Sequence, residues 1–185
     1  MATDNISLIL DAAATLLESQ GPAGLTARAV CDAAGVKAPT LYHYFGGMEG
    51  LEQALIKRGV EEFMQKKRVT PTSADPLEQL KSGWDIAVEF ALKRPGLWRL
   101  NAKHSMVYPE VFEESYKLMQ TRVQRLVDLG VFQGPVDISS RAIWATCQGV
   151  LALTLQGHSQ KDVEFTSQML FNAITTQLKR KTTEE

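Results

Sequence analysis

The sequence predicts an all-α fold of about nine helices, and three observations predict it. Apolar residues recur at spacings of three and four along almost the whole chain. No stretch alternates apolar and polar residues over the length of a strand. Glycine and proline punctuation cuts the pattern into segments of helix length. The expected organisation is a three-helix head with a helix-turn-helix over residues 1–47, a connecting helix over 48–70, and a helical domain over 76–185.

The first helix is expected from about Thr3 to Gln20, with Ile6, Leu10, Ala13 and Leu17 on one face. Gly21-Pro22 stops it. Thr26 suits the N-cap of a second helix through Ala33, which buries Leu25, Ala29 and Val30. Gly35 supplies the turn, because a positive φ costs glycine little. A third helix follows from Lys37 to Phe45, with Pro39 tolerated in its first turn, and Gly46-Gly47 ends it. The fourth helix, about Met48 to Arg68, turns Leu51, Leu55, Ile56 and Phe63 inward. VTPTSADP, residues 69–76, is the one Thr/Pro/Ser cluster of the chain and marks a domain boundary.

Asp75-Pro76-Leu77-Glu78 is a helix-start signature, with Asp at the N-cap, Pro at N1 and Glu at N3. That helix reaches about Arg94, where Pro95 interrupts and opens a short helix through His104. Pro109-Glu110 opens another to about Gly130, carrying Phe112, Tyr116, Met119, Val123 and Leu126 at spacings of four and three. Asp137 is expected to cap a helix over 138–157, and a last helix covers 162–180. The tail KRKTTEE should fray.

Composition is that of an ordinary soluble globular chain: 185 residues, 44% hydrophobic and 22% charged. No apolar run reaches the length of about 18 residues that a membrane helix needs, and MATDNISL has no basic leader. Cys31 and Cys147 lie in apolar helical patterns without metal-binding spacing, so buried free thiols in a cytoplasmic protein are expected and no metal or cofactor. Nucleophile-elbow, Walker, His-Glu-x-x-His and dinucleotide motifs are missing. His43, His104 and His158 fall on different elements. The chain is not expected to be an enzyme.

The stretch Gly24 to Leu51 reads as helix, tight turn and second helix, the layout that delivers a helix into the DNA major groove. Leu41 and Phe45 are four apart and share the inward face. Lys37, Ala38, Thr40, His43 and Tyr44 are left to face outward. Thr40 and His43 suit base edges or phosphates, and Ala38 and Pro39 suit a thymine methyl. The hydroxyls of Tyr42 and Tyr44 suit phosphate, and Arg28 suits a guanine or a phosphate. Residues 1–50 hold two basic and five acidic side chains, a formal −3. Binding is therefore expected to rest on backbone amides, helix dipoles, hydroxyls, Arg28 and Lys37. The alternative is a head that binds DNA weakly or not at all. Lys57-Arg58 and Lys66-Lys67-Arg68 either compensate or form a solvated face.

At these residues the chain resembles the TetR family of one-component transcriptional regulators. The matching pieces are Ile9-Leu10-Asp11-Ala12-Ala13, Gly24-Leu25-Thr26, Ala34-Gly35-Val36, Thr40-Leu41-Tyr42-His43-Tyr44-Phe45, and Glu49 with Leu51. Trp144-Ala145-Thr146-Cys147-Gln148-Gly149 is similar to the Trp-His-Gly signature of one C-terminal subfamily, with Gln148 in the histidine position. Asp4, Asn5, Leu8 and Met48 stand where the family usually has basic residues. The resemblance implies a homodimer on a near-palindromic double-stranded DNA operator, released by a small apolar effector and most often a repressor. A ligand- or protein-binding dimer with lost DNA binding is the alternative.

For the effector, the large side chains of the C-terminal half offer Trp84, Trp98, His104, Tyr108, Phe112, Tyr116, Met119 and Trp144, with Asn101 and Gln148 as polar partners. Most large side chains of that half should be core. Ala142, Ala145, Gly149 and Ala152 form a stripe of small residues on the penultimate helix. With Phe165, Met169, Phe171, Ile174 and Leu178 of the last helix they are the expected dimer interface, four helices about a two-fold axis.

Overall fold

The computed structural model describes the backbone of residues 2–69, 75–104 and 110–179, and the side chains of 5–68, 75–103 and 113–179. The side chains of His104, Tyr108 and Phe112, most of the Thr/Pro/Ser linker and the tail beyond Lys179 lie outside the described residues. Among the described residues the chain forms nine α-helices: α1 Ala2–Gln20, α2 Ala27–Ala34, α3 Ala38–Phe45, α4 Met48–Val69, α5 Pro76–Lys93, α6 Pro95–His104, α7 Glu110–Asp128, α8 Val136–Leu155 and α9 Gln160–Leu178. A 3₁₀ turn, Pro22–Gly24, joins α1 to α2. Among the described residues, β-pairing is an isolated bridge between Phe132 and Lys179.

The helices pack as two compact units that interleave along the chain. The first is Met1–Phe63 with Lys93–Tyr108, and the second is Met64–Leu92 with Pro109–Glu185. Helix α4 and the α5–α6 segment each contribute to both units.

In the first unit the core is Ile9, Ala13 and Leu17 of α1, Leu25, Val30 of α2, Leu41 of α3, Leu51, Leu55 and Ile56 of α4, and Leu97 and Leu100 of α6. Ile6 is exposed and Leu10 half-buried, so the inward stripe of α1 is centred on Ile9 rather than on the expected Ile6–Leu10 pair. Ala29 and Phe45 are likewise only half-buried. Glu18 of α1 caps α6: its carboxylate accepts from the Gly96 amide at 2.8 Å and the Leu97 amide at 3.1 Å. A negative charge against a helix N-terminus is favourable on dipole and hydrogen-bond grounds. Gly96 permits it, since a Cβ there would run into the Leu17 carbonyl. Arg58 of α4 ties back to α1, donating to Asp11 Oδ1 at 2.7 Å and to the Leu10 carbonyl at 3.0 Å.

In the second unit Leu80, Trp84, Val88, Val123, Leu126, Ile143, Val150, Val163 and Phe171 are buried. Met64, only 1% exposed, takes the inward place on α4 expected of Phe63, which is half-buried. Pro135, with φ −65° and ψ 132°, starts α8 two residues earlier than the sequence suggested. Asp137 thus lies in the first turn rather than at the cap, and its carboxylate accepts from Gln120 Nε2 at 3.0 Å. Ser159 caps α9 by accepting from the Asp162 amide at 3.2 Å, so α9 begins two residues before the expected start.

Candidate nucleic-acid interface

The helix-turn-helix is built by local rules. Thr26 is extended, and its hydroxyl accepts from the Ala29 amide at 3.2 Å, which starts α2. Gly35 ends α2 at φ 66°, the left-handed conformation that admits the turn. Lys37 precedes α3 in an extended conformation, and Pro39 occupies the first turn. Leu41 is wholly buried and anchors α3. Gly46, at φ 70°, ends it. Gly50 then lets α4 start against α3, because a Cβ would meet the Phe45 carbonyl.

With Leu41 inward, Lys37, Ala38, Pro39, Tyr42 and His43 are exposed, and Thr40 and Tyr44 are half-buried. Tyr42 leaves 52% of its surface in solvent, a large fraction for an aromatic with nothing else to cover it. The His43 and Tyr44 rings meet edge to face at 5.1 Å. Arg28 projects from α2 with 94% of its side chain exposed; among the described residues its ion-pair partner is Asp32, at 3.8 Å. Such an exposed pair holds the guanidinium by about 1 kcal/mol at most. The outward face therefore combines an exposed cation at Arg28, a second at Lys37, three ring systems and the hydroxyls of Thr40, Tyr42 and Tyr44.

These features match known proteins. Residues 9–55 match the family model for bacterial regulatory proteins of the tetR family. The head is similar to that family over those residues. Over 102 residues it is 28% identical to the nucleoid occlusion factor SlmA of Vibrio vulnificus, covering 54% of this chain and 52% of that one. The chain thus spans about half the length of the curated relatives it matches. Its fold is that of a TetR transcription regulator from Haloarcula marismortui, with a TM-score of 0.80 at 17% identity over 96% of this chain and 100% of that one. The ketosteroid transcriptional regulator KstR2 of Mycobacterium tuberculosis shares the fold with a TM-score of 0.73, at 16% identity over 95% of both chains.

The cations of α4 follow neither alternative read from sequence as a group. Arg58 is committed to Asp11 and Leu10, and Lys67 is buried at 7% exposure with its ammonium donating to Ser115 Oγ at 2.7 Å. Arg68 pairs with Glu114 at 2.6 Å. None of these three lies on a solvated face as an uncommitted charge.

Of the residues expected to line an effector site, Tyr116 and Trp144 meet edge to face at 5.4 Å in the second unit, where Met119 and Gln148 are half-buried. Trp84 is core: it is 4% exposed, its indole donates to Ser167 Oγ at 2.8 Å, and its ring packs on Phe171 at 5.3 Å. That contact also makes Phe171 an internal residue rather than part of an outer face. Trp98 and Asn101 belong to the first unit, so a cavity within the second unit is lined without them. On α8 and α9, Ala145, Gly149, Phe165 and Met169 are exposed, and Ala142, Ala152, Ile174 and Leu178 half-buried. Phe165 leaves 73% of its surface in solvent, and Ile138 58%.

Sequence reasoning missed an inner polar group made by Lys67, Ser115, Arg122 and Cys147. Arg122 Nη1 donates to the Gln79 carbonyl at 3.0 Å, and Gly83 makes room for it, since a Cβ there would meet Nη1. Burial lowers the Lys67 pKa to about 8, the Cys147 thiol raises it and the Arg122 charge lowers it further. Burial pushes the Cys147 thiol up to about 12. The one sequence signal for this cluster was Gly83 in mid-helix, which marks a close approach.

Proposed function

We propose that this protein is a homodimeric, ligand-responsive DNA-binding transcriptional regulator, a repressor released from its operator by a small apolar molecule. The observation that carries the reading is the outward face of α3: Leu41 is buried while Lys37, Ala38, Pro39, Tyr42 and His43 are exposed beside Arg28. That face offers groups for phosphate and for base edges together. The exposed apolar residues Phe165 and Met169 of α9, with Ala145 and Gly149 exposed on α8, support a dimer through α8 and α9. Two heads then read two half-sites of a near-palindromic operator. Helix α4 is the lever, since it runs from the first unit into the second.

The test is fluorescence anisotropy with DNA flanking the coding region, at low and rising salt. Binding with a log–log salt slope of about −4 is expected, from two cations per head in a dimer. A slope near about −8 places more cations on DNA than Arg28 and Lys37 provide. One observation favours a second reading, a dimer that acts through ligand or protein contacts: residues 1–50 carry a formal −3, and Arg58 is spent internally. A folded dimer without binding at about 50 mM salt selects that reading.

A further inference from the structure

We propose that protonation of His43 sets how tightly the head grips DNA, so that the operator is held more firmly as pH falls from about 8 to about 6. This rests on the DNA-binding reading above and adds the proton as a second signal at the same site.

His43 is exposed on the outward face of α3, two residues beyond the buried anchor Leu41 and in the last turn of the helix. Its ring meets that of Tyr44 edge to face at 5.1 Å, which restricts the rotation of the imidazole. Histidine is the side chain whose charge changes within the physiological range. The carbonyl end of a helix favours a positive charge in its last turn, so α3 itself supports the imidazolium.

The charged groups around this face leave the proton to meet phosphate rather than an internal partner. Among the described residues no carboxylate pairs with His43. Asp32 of α2 lies 3.8 Å from Arg28. Glu49 occupies the first turn of α4, where a helix N-terminus favours it. Asp11 of α1 accepts from Arg58 at 2.7 Å, and Glu18 caps α6. On its own element His43 is accompanied by Tyr42, Tyr44 and, ahead of the first turn, Lys37.

The size of the effect follows from how few cations the head has. Arg28 and Lys37 are the two basic side chains of residues 1–50, which carry a formal −3. One proton on His43 adds a third cation to each head; on a strongly basic head the same proton would change little. A neutral imidazole offers a phosphate oxygen an ordinary hydrogen bond. The imidazolium offers a charge-assisted one, roughly twice as strong, and displaces a counterion. Linkage is reciprocal, so a head that binds better when protonated also holds its proton more tightly on DNA.

The experiment is fluorescence anisotropy of the full chain with the DNA flanking its coding region, at about pH 6 and about pH 8 over a range of salt. At low salt, affinity should be about tenfold tighter at the lower pH. The log–log salt slope should steepen from about −4 to about −5.5, since a dimer neutralises two further phosphates. His43→Gln keeps a hydrogen-bonding amide but cannot take the proton. That variant, checked for helicity, should bind alike at both pH values with a slope of about −4 at each. His104, His158 and Lys67 are unchanged in it, so a pH dependence of their making would persist. Equal wild-type affinity at the two pH values, an unchanged slope, or a pH dependence that survives His43→Gln each overturns the proposal. Those three outcomes leave operator binding standing, whereas no binding at either pH overturns both readings together.

Discussion

In the proposed interface, Arg28 and Tyr42 would make two kinds of DNA contact. A guanidinium held only by an exposed 3.8 Å pair with Asp32 exchanges that partner for a base edge or a phosphate at small cost. If it reads a guanine, Arg28→Ala should lose about 1–3 kcal/mol on the preferred operator and little on one altered at that base. Tyr42→Phe removes only a hydroxyl, so its loss should be similar across operator sequences; anisotropy on a set of single-base variants distinguishes the patterns. Lys67 and Cys147 make a pH prediction. The lysine's pKa falls from 10.5 to about 8 on folding, chiefly through desolvation. Below about 8 the fold bears the whole cost of the buried charge. Between about 8 and 10.5 the folded chain sheds that proton before the unfolded chain does, so stability rises with pH. Cys147 has the opposite sign: its thiol is raised from 9.0 to about 12, and its contribution is full below 9.0 and lost above it. Denaturant melts should therefore gain stability from pH 8 to 9 and level off beyond. Lys67→Met should abolish the gain.

At the scale of elements, α6 depends on a cap that comes from another helix. Glu18 supplies both its oxygens to the first amides of α6, and Gly96 keeps the approach open. Glu18→Ala should cost about 1–3 kcal/mol, because it uncaps two amides facing a helix dipole. Gly96→Ala should cost about as much or more, since the backbone carbonyl of Leu17 cannot yield as a side chain would. Thermal denaturation checks both. The paired faces of α8 and α9 carry a different prediction. Phe165 and Met169 are exposed at four-residue spacing on α9, so Phe165→Glu with Met169→Lys should leave the subunit folded and shift sedimentation from dimer to monomer. Unchanged association would place the dimer elsewhere.

For the whole molecule, electrostatics and packing pull in different directions. A net charge of −1 and a head of −3 provide little attraction to a duplex at a distance. Affinity for the proposed operator would then have to come from close fit, with a shallow salt slope as its expected signature. Packing divides the chain into two units that share α4 and the α5–α6 segment. Among the described residues no helix is long and apolar enough to cross a membrane, and no group of side chains is suited to hold a metal.

Helical periodicity, the Thr26 cap, the Gly35 turn and the Leu41 anchor were legible in the sequence, because each follows from residues within one or two turns of one another. Those same local rules placed Tyr42, His43 and Arg28 outward. What the tertiary structure alone decided concerns residues far apart in the chain. Lys67 looked like part of a basic, solvated run and is buried against Ser115, 48 positions away. Trp84 looked like a cavity wall and is held by Ser167, 83 positions away. Asn101 and Trp98 looked like part of the C-terminal half and pack with the head's unit. Helical spacing specifies which side chains share a face; which face meets which is settled only when all the helices compete for the same buried volume.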